Sequence, residues 1–176
     1  MRRLKYYLAC SIDGFIAHED GSFDGFLADM KSEAVADFLK SYEWFDTVLM
    51  GRKTYEIGLK QGVTDPYPKM KTYVFSRKMN SSPNKRVELV LENAGVLVRQ
   101  LKNGTGKDIW LCGGADLAAT LFAENLIDHI ILKVNPFLMG SGIPLFSGRI
   151  KQTALELTGS KIYSDGLVLL HYRVKK

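Results

Sequence analysis

Three stretches of this 176-residue chain set glycine, hydroxyl and cationic side chains directly behind short apolar runs. In Met50-Gly51-Arg52-Lys53-Thr54-Tyr55, a glycine at a strand end lets the backbone approach a ligand closely. A helix starting there offers free N–H groups and the positive end of its dipole. Tyr73-Val74-Phe75-Ser76-Arg77-Lys78 repeats the pattern with a hydroxyl and two cations, and arginine grips phosphate through paired, charge-assisted hydrogen bonds. In Ile109-Trp110-Leu111-Cys112-Gly113-Gly114-Ala115-Asp116-Leu117, two glycines remove both side chains where a pyrophosphate would rest on a helix N-terminus. Each stretch alone also fits a tight turn or a solvated strand end. Three of them in one chain point to a single large anionic ligand lying outside the carboxyl ends of the strands. The spacing is neither G-x-G-x-x-G nor a P-loop.

Other chemistries find less support. The two cysteines, Cys10 and Cys112, each sit inside an apolar run and read as buried thiols, although a pairing in the fold stays open. With His18, His129 and His171 scattered and no C-x-x-C, neither zinc nor a disulfide scaffold is expected. A net charge of +5 favours anionic ligands, but the basic residues follow strand ends instead of forming a stripe, so no nucleic acid is expected as partner. The first residues lack a long apolar leader, and no stretch reaches about 18 uninterrupted apolar residues. A cytoplasmic protein with no membrane partner is expected.

The elements that must position these residues alternate as in an α/β domain. Strands are expected at Leu4–Cys10, Thr47–Met50, Thr72–Phe75, Val87–Leu91, Ile109–Cys112 and Ile127–Val134, with Phe15-Ile16-Ala17 a brief resumption after the Asp13-Gly14 turn. Ser32 is an N-cap for a helix carrying Val35, Phe38, Leu39 and Tyr42. Further helices are expected at Lys53–Lys60, around Val96, Leu97 and Leu101 up to Asn103-Gly104, and at Ala115–Glu124. Pro136–Phe146 reads as a loop, and Leu155–Thr158 and Leu167–Val174 as a closing antiparallel pair. With no repeat and no linker, residues 1–176 read as one domain.

In this order the motifs resemble the dihydrofolate reductase-like superfamily, and within it the riboflavin-pathway reductase domain often found behind a zinc deaminase. The resemblance rests on Ala9-Cys10-Ser11-Ile12-Asp13-Gly14-Phe15-Ile16-Ala17, Met50-Gly51-Arg52-Lys53-Thr54-Tyr55-Glu56, Phe75-Ser76-Arg77, Leu111-Cys112-Gly113-Gly114-Ala115 and the late loop Asn135–Phe146. It implies a stand-alone α/β reductase domain of three layers, a mostly parallel central sheet flanked by helices. It also implies NADPH bound across the strand ends and a hydride passed to a small heterocyclic substrate, a pyrimidine ribosylamine or a pteridine. By position, Ala9 and Ile16 would hold the nicotinamide carboxamide through backbone groups. Gly113, Gly114, Ala115, Asp116 and Leu117 would pack on the pyrophosphate, and Gly51, Arg52, Lys53, Thr54, Ser76 and Arg77 would surround the adenosine end. Arg52, Lys53 and Arg77 near one ribose favour the 2′-phosphate of NADP over NAD, at about 1.5–3 kcal/mol per charge-assisted contact. Homodimers are common in this branch, and the apolar residues of Ile127–Leu138 fit either an interface or a buried strand.

The substrate end is less defined. Folate-reducing members carry a helix carboxylate that falls here at about Val35, and Asp37 lies two residues on, about 200° around the helix. That weakens a true dihydrofolate reductase as the alternative and keeps a non-catalytic NADPH-binding protein in play. Asp13, in the turn entering the active-site loop, and Asp29, before the helix, are the candidate substrate contacts; each also fits a turn or first-turn acid. Phe15, Phe26, Phe38 and Tyr42 are candidates to wall a planar ligand, and Lys133 and Arg149 to grip a substrate phosphate. No catalytic acid stands out.

Overall fold

The computed structural model describes residues 1–26 and 29–175. In chain order the elements are Leu4–Ser11 (β1), Phe15–Ala17 (β2), Glu33–Ser41 (α1), Phe45–Gly51 (β3), Arg52–Lys60 (α2), Lys71–Phe75 (β4) and Val87–Val90 (β5). Ala94–Asn103 (α3), Asp108–Gly113 (β6), Ala115–Ala123 (α4), His129–Asn135 (β7), Ile143–Pro144 (β8), Leu155–Ile162 (β9) and Val168–Val174 (β10) follow. The main sheet runs β5-β4-β3-β6-β1-β7-β10-β9. Its first six strands are parallel, and β10 pairs antiparallel with both β7 and β9. This is the three-layer, mostly parallel α/β fold with a closing antiparallel pair.

The inner strands are apolar almost throughout because both their faces are covered. Tyr7, Val48, Met50, Trp110 and Ile131 pack with Ala34, Phe38, Tyr55 and Leu59 of α1 and α2. Leu4, Tyr6, Leu8, Leu49, Leu111 and Ile130 pack with Val98, Ala118 and Leu121 of α3 and α4 on the other face. Cys10 and Cys112 fall on opposite faces of the sheet and both thiols are free. Ser32 Oγ accepts the Val35 amide at 3.2 Å and caps α1, whereas α2 and α4 start from Gly51 and Gly114 with no side-chain cap.

The sheet is locked at its amino-terminal edge. Lys102 Nζ donates to Asp128 Oδ2 at 2.5 Å and to the Leu126 carbonyl at 2.7 Å, and the Leu4 amide donates to the same Asp128 oxygen at 2.8 Å. Arg2 bonds Asp46 and Thr47 alongside. The carboxyl edge carries the loops.

Two differences from the sequence reading lie at that edge. Inside Pro136–Phe146, Ile143–Pro144 is a strand that pairs antiparallel with Phe15–Ala17 in a separate small sheet. A two-residue strand flanked by Gly142 carries no readable period. Gly142 is required there, since at φ +153° any side chain would run into the Ala17 carbonyl. The other difference is that β9 continues to Ile162, beyond the expected end at Thr158.

Candidate functional site

The chain leaves β1 for β3 on one side and β6 for β7 on the other, so adjacent strands β1 and β6 mark the point where the winding reverses. Open α/β sheets bind ligands outside the carboxyl ends at such a point. Here the sheet also splits. β1 and β6 pair only at Leu4↔Ile109, Lys5↔Trp110 and Tyr6↔Leu111, although β1 runs on to Ser11 and β6 to Gly113. Backbone groups alternate sides along a strand. The Arg3 and Tyr7 carbonyls point toward β6, accepting from the Ile109 amide and from Trp110 Nε1. Ala9, two residues on, therefore directs its amide and carbonyl into the split. Ile16 on β2 is half-buried against the α3/α4-side core.

Beside the split, the first and third glycine junctions meet. A side chain on Gly114 would sit 3.2 Å from the Gly51 Cα and nitrogen, and one on Gly51 would sit 3.5 Å from the Gly114 Cα. Gly114 also has φ +106°, a conformation open to glycine and strained for other residues. A Cβ on Gly113 would press on Thr54, 3.2 Å from its Oγ1. The three glycines thus form a side-chain-free cradle between the uncapped starts of α2 and α4, where Ala115, Asp116 and Leu117 form the first turn. This cradle fits a pyrophosphate, which needs close backbone approach and N–H donors.

The second junction is next to it, because Gly51 and Phe75 are register partners. Buried Ser76 accepts the Lys78 and Met79 amides on its Oγ at 3.1 and 2.9 Å, so its hydroxyl shapes the turn. Arg52, read from sequence as a candidate 2′-phosphate contact, already has a partner. Its Nη1 donates to both oxygens of Glu56, at 2.6 and 2.7 Å. Lys53 and Arg77 are exposed and, among the described residues, enter no ion pair.

Of the two candidate substrate contacts, Asp13 is tied elsewhere. Its Oδ1 accepts from Ser11 Oγ at 2.5 Å and from the Met139 amide at 3.1 Å, and its Oδ2 from the Gly140 amide at 2.8 Å. These bonds, the Ser11 hydroxyl first, lower its pKa to about 2. The carboxylate therefore fastens the late loop to the start of the active-site loop. Asp29 is exposed and closes a turn before α1, its Oδ1 accepting the Lys31 amide at 2.9 Å. On α1, Asp37 Oδ2 accepts from Lys161 Nζ (2.5 Å) and Tyr163 Oη (3.0 Å), away from the split. Arg149 is exposed.

On the α1 side of the split stands a cluster that carries little sequence signal. Lys133 is the register partner of Ala9, and its Nζ lies 3.7 Å from the centre of the Phe38 ring. Cys112 Sγ is 3.5 Å from Tyr67 Oη. The Phe38, Tyr42, Tyr67 and Trp110 rings stack edge to face nearby. Burial pushes the Cys112 thiol up to about 11 and lowers the Lys133 ammonium to about 8. Tyr67 sits in a Pro-rich loop where spacing places nothing. Lys133, a cation inside an apolar strand, and Phe38 and Tyr42, read as walls for a planar ligand, are the members the sequence singles out. Among the described residues no group of three or more His, Cys, Asp or Glu is placed to hold a metal ion, and no helix is long and apolar enough to cross a membrane.

The mostly parallel central sheet flanked by helices, with its separate two-stranded sheet, matches the fold of riboflavin-pathway reductase proteins. The chain belongs to the RibD C-terminal domain family, which matches residues 3–169. It is 37% identical over 171 residues to the uncharacterized protein YwjB of Bacillus subtilis, covering 97% of each. It is 32% identical to YyaP of the same organism, covering 97% of this chain and 94% of that one. Among solved structures, a putative riboflavin biosynthesis protein from a Shewanella species superposes over both whole chains with a TM-score of 0.80 at 24% identity. The Thermotoga maritima diaminohydroxyphosphoribosylaminopyrimidine deaminase/5-amino-6-(5-phosphoribosylamino)uracil reductase superposes with a TM-score of 0.73 at 16% identity. That match covers 99% of this chain and 57% of the Thermotoga protein.

Proposed function

We propose that residues 1–176 form one NADPH-dependent reductase domain that passes a hydride to a small planar heterocycle of the pyrimidine ribosylamine or pteridine kind. The observation that carries this reading is the contact of Gly51 with Gly114 beside the open split between β1 and β6. The cradle accepts a pyrophosphate, and the split lies next to it with the Ala9 backbone turned inward. Gly51, Gly113, Gly114 and the first turn Ala115, Asp116 and Leu117 hold the diphosphate. The Ala9 amide and carbonyl, with Ile16 on β2, orient the nicotinamide. When bound, NADPH supplies the hydride.

Lys53, Thr54, Ser76 and Arg77 line the adenosine end. The exposed, unpaired cations Lys53 and Arg77 support a preference for the 2′-phosphate, whereas the Arg52 charge is already balanced by Glu56. The family membership and the riboflavin-pathway fold neighbours support the reductase class. With Val35 at the carboxylate position, and Glu33 and Asp37 both engaged by Lys161, α1 presents no unpaired acid to hold a folate ring, which supports a different substrate.

The test is consumption of NADPH, followed by its absorbance, with a panel of oxidised pteridines and pyrimidine ribosylamines. Turnover with at least one, and none by Gly114→Ala, is expected. Tight NADPH binding with no turnover on any acceptor would leave a binding protein in its place.

A further inference from the structure

We infer that Lys133 is the cation by which this site recognises its substrate, and that the substrate is a planar ring turning an anionic oxygen toward it. The inference rests on the reductase reading for the place of the substrate, and on the following geometry for its charge. Lys133 projects from β7 on the same face as Ile131, beneath α1, with Ala9 beside it on β1 and Leu169 beside it on β10. Its ammonium lies over the Phe38 ring, so a ring entering the split meets an aromatic wall and a charge together.

Among the described residues no carboxylate answers that charge. Among the described residues, Lys133 Nζ has neither an ion-pair nor a hydrogen-bond partner. The carboxylates that α1 brings to this side, Asp37 and Glu33, are both held by Lys161 Nζ, at 2.5 and 2.8 Å. Cys112 of β6, which acts on it electrostatically, and the tyrosines around Phe38 and Cys112, namely Tyr7 from β1, Tyr42 after α1 and Tyr67 from the loop before β4, are neutral at pH 7. A cation placed in half-buried surroundings without a counter-charge is disfavoured until a ligand brings one. The burial that lowers its pKa to about 8 still leaves it charged at pH 7. A pocket holding a carboxylate selects a protonated aminopteridine or diaminopyrimidine; this pocket holds the opposite charge and selects against them.

The test uses orotate, a planar pyrimidine carboxylate, and a 2,4-diaminopyrimidine as probes, titrated calorimetrically into wild type and Lys133→Met. Orotate is expected to bind wild type, and to bind Lys133→Met about tenfold or more weakly, the scale of one lost charge-assisted contact. For wild type, orotate affinity is expected to fall about tenfold between pH 7 and pH 9, as the ammonium titrates through about 8. That arm needs no variant. Absence of orotate binding to wild type, equal affinity in Lys133→Met, no change with pH, or a wild-type preference for the diaminopyrimidine would each overturn the assignment. An NADPH titration of the same samples separates the two readings. Absence of NADPH binding with a Lys133-dependent orotate response would remove the reductase reading while keeping Lys133 as the anion contact of the site.

Discussion

Gly114 decides more about this site than any charged residue. Its φ of +106° is strained for any other residue, and a methyl group there would come within 3.2 Å of the Gly51 backbone, which would have to give by a few tenths of an ångström. Gly114→Ala is expected to cost about 1–3 kcal/mol of stability through backbone strain and to abolish NADPH binding. Gly62→Ala is the control, since Gly62 also has positive φ but nothing within 4 Å, and its effect should be confined to the melt. Retained NADPH affinity in Gly114→Ala would remove the cradle. Among the cations, Arg77→Ala is expected to weaken NADPH about tenfold or more and NADH little. Arg52→Ala should act the same way but less, because Glu56 already holds its guanidinium. Equal losses for both nucleotides would detach these residues from the 2′-phosphate.

At the level of elements, the late loop is held to the active-site loop by Asp13. Its carboxyl pKa is lowered from 3.8 to about 2, so the bonds to Ser11, Met139 and Gly140 contribute fully above the ordinary value and are lost as pH falls through about 2. Asp13→Asn is expected to speed amide hydrogen exchange at Met139 and Gly140 at neutral pH. Unchanged exchange there would mean that the β2/β8 pairing and the backbone bonds of Ile12 to Phe137 and Leu145 to Gly14 hold the loop without Asp13. Much of this edge was legible in the chain. The glycines at the ends of β3 and β6 announce a backbone requirement, the long apolar runs announce buried parallel strands, and Ser32 announces the start of α1. The meeting of Gly51 with Gly114 was not legible, because it depends on β6 inserting between β3 and β1. The split at Ala9 depends on where the β1–β6 ladder ends, which no local pattern encodes. The Arg52–Glu56 pair is a different case. Its i,i+4 spacing stood in the sequence, and helical geometry predicts it.

Across the whole molecule, the two edges of the sheet divide the work. The amino edge is fixed by the buried Lys102–Asp128 pair, which also anchors the start of β1, and by Arg2 with Asp46. A pair of this kind mainly penalises the loss of either partner. The carboxyl edge is left open by the early end of the β1–β6 ladder, and the glycine cradle, the exposed cations and Lys133 gather around that opening. The account stands or falls on what enters it. The most direct measurement is a titration of the protein with NADPH and with NADH, followed by thermal melting and tryptophan fluorescence. NADPH at about 100 times its dissociation constant should add about 2.7 kcal/mol, a rise of roughly 5–10 °C for a chain of this size, and NADH much less at the same concentration. No shift with either nucleotide would contradict the account.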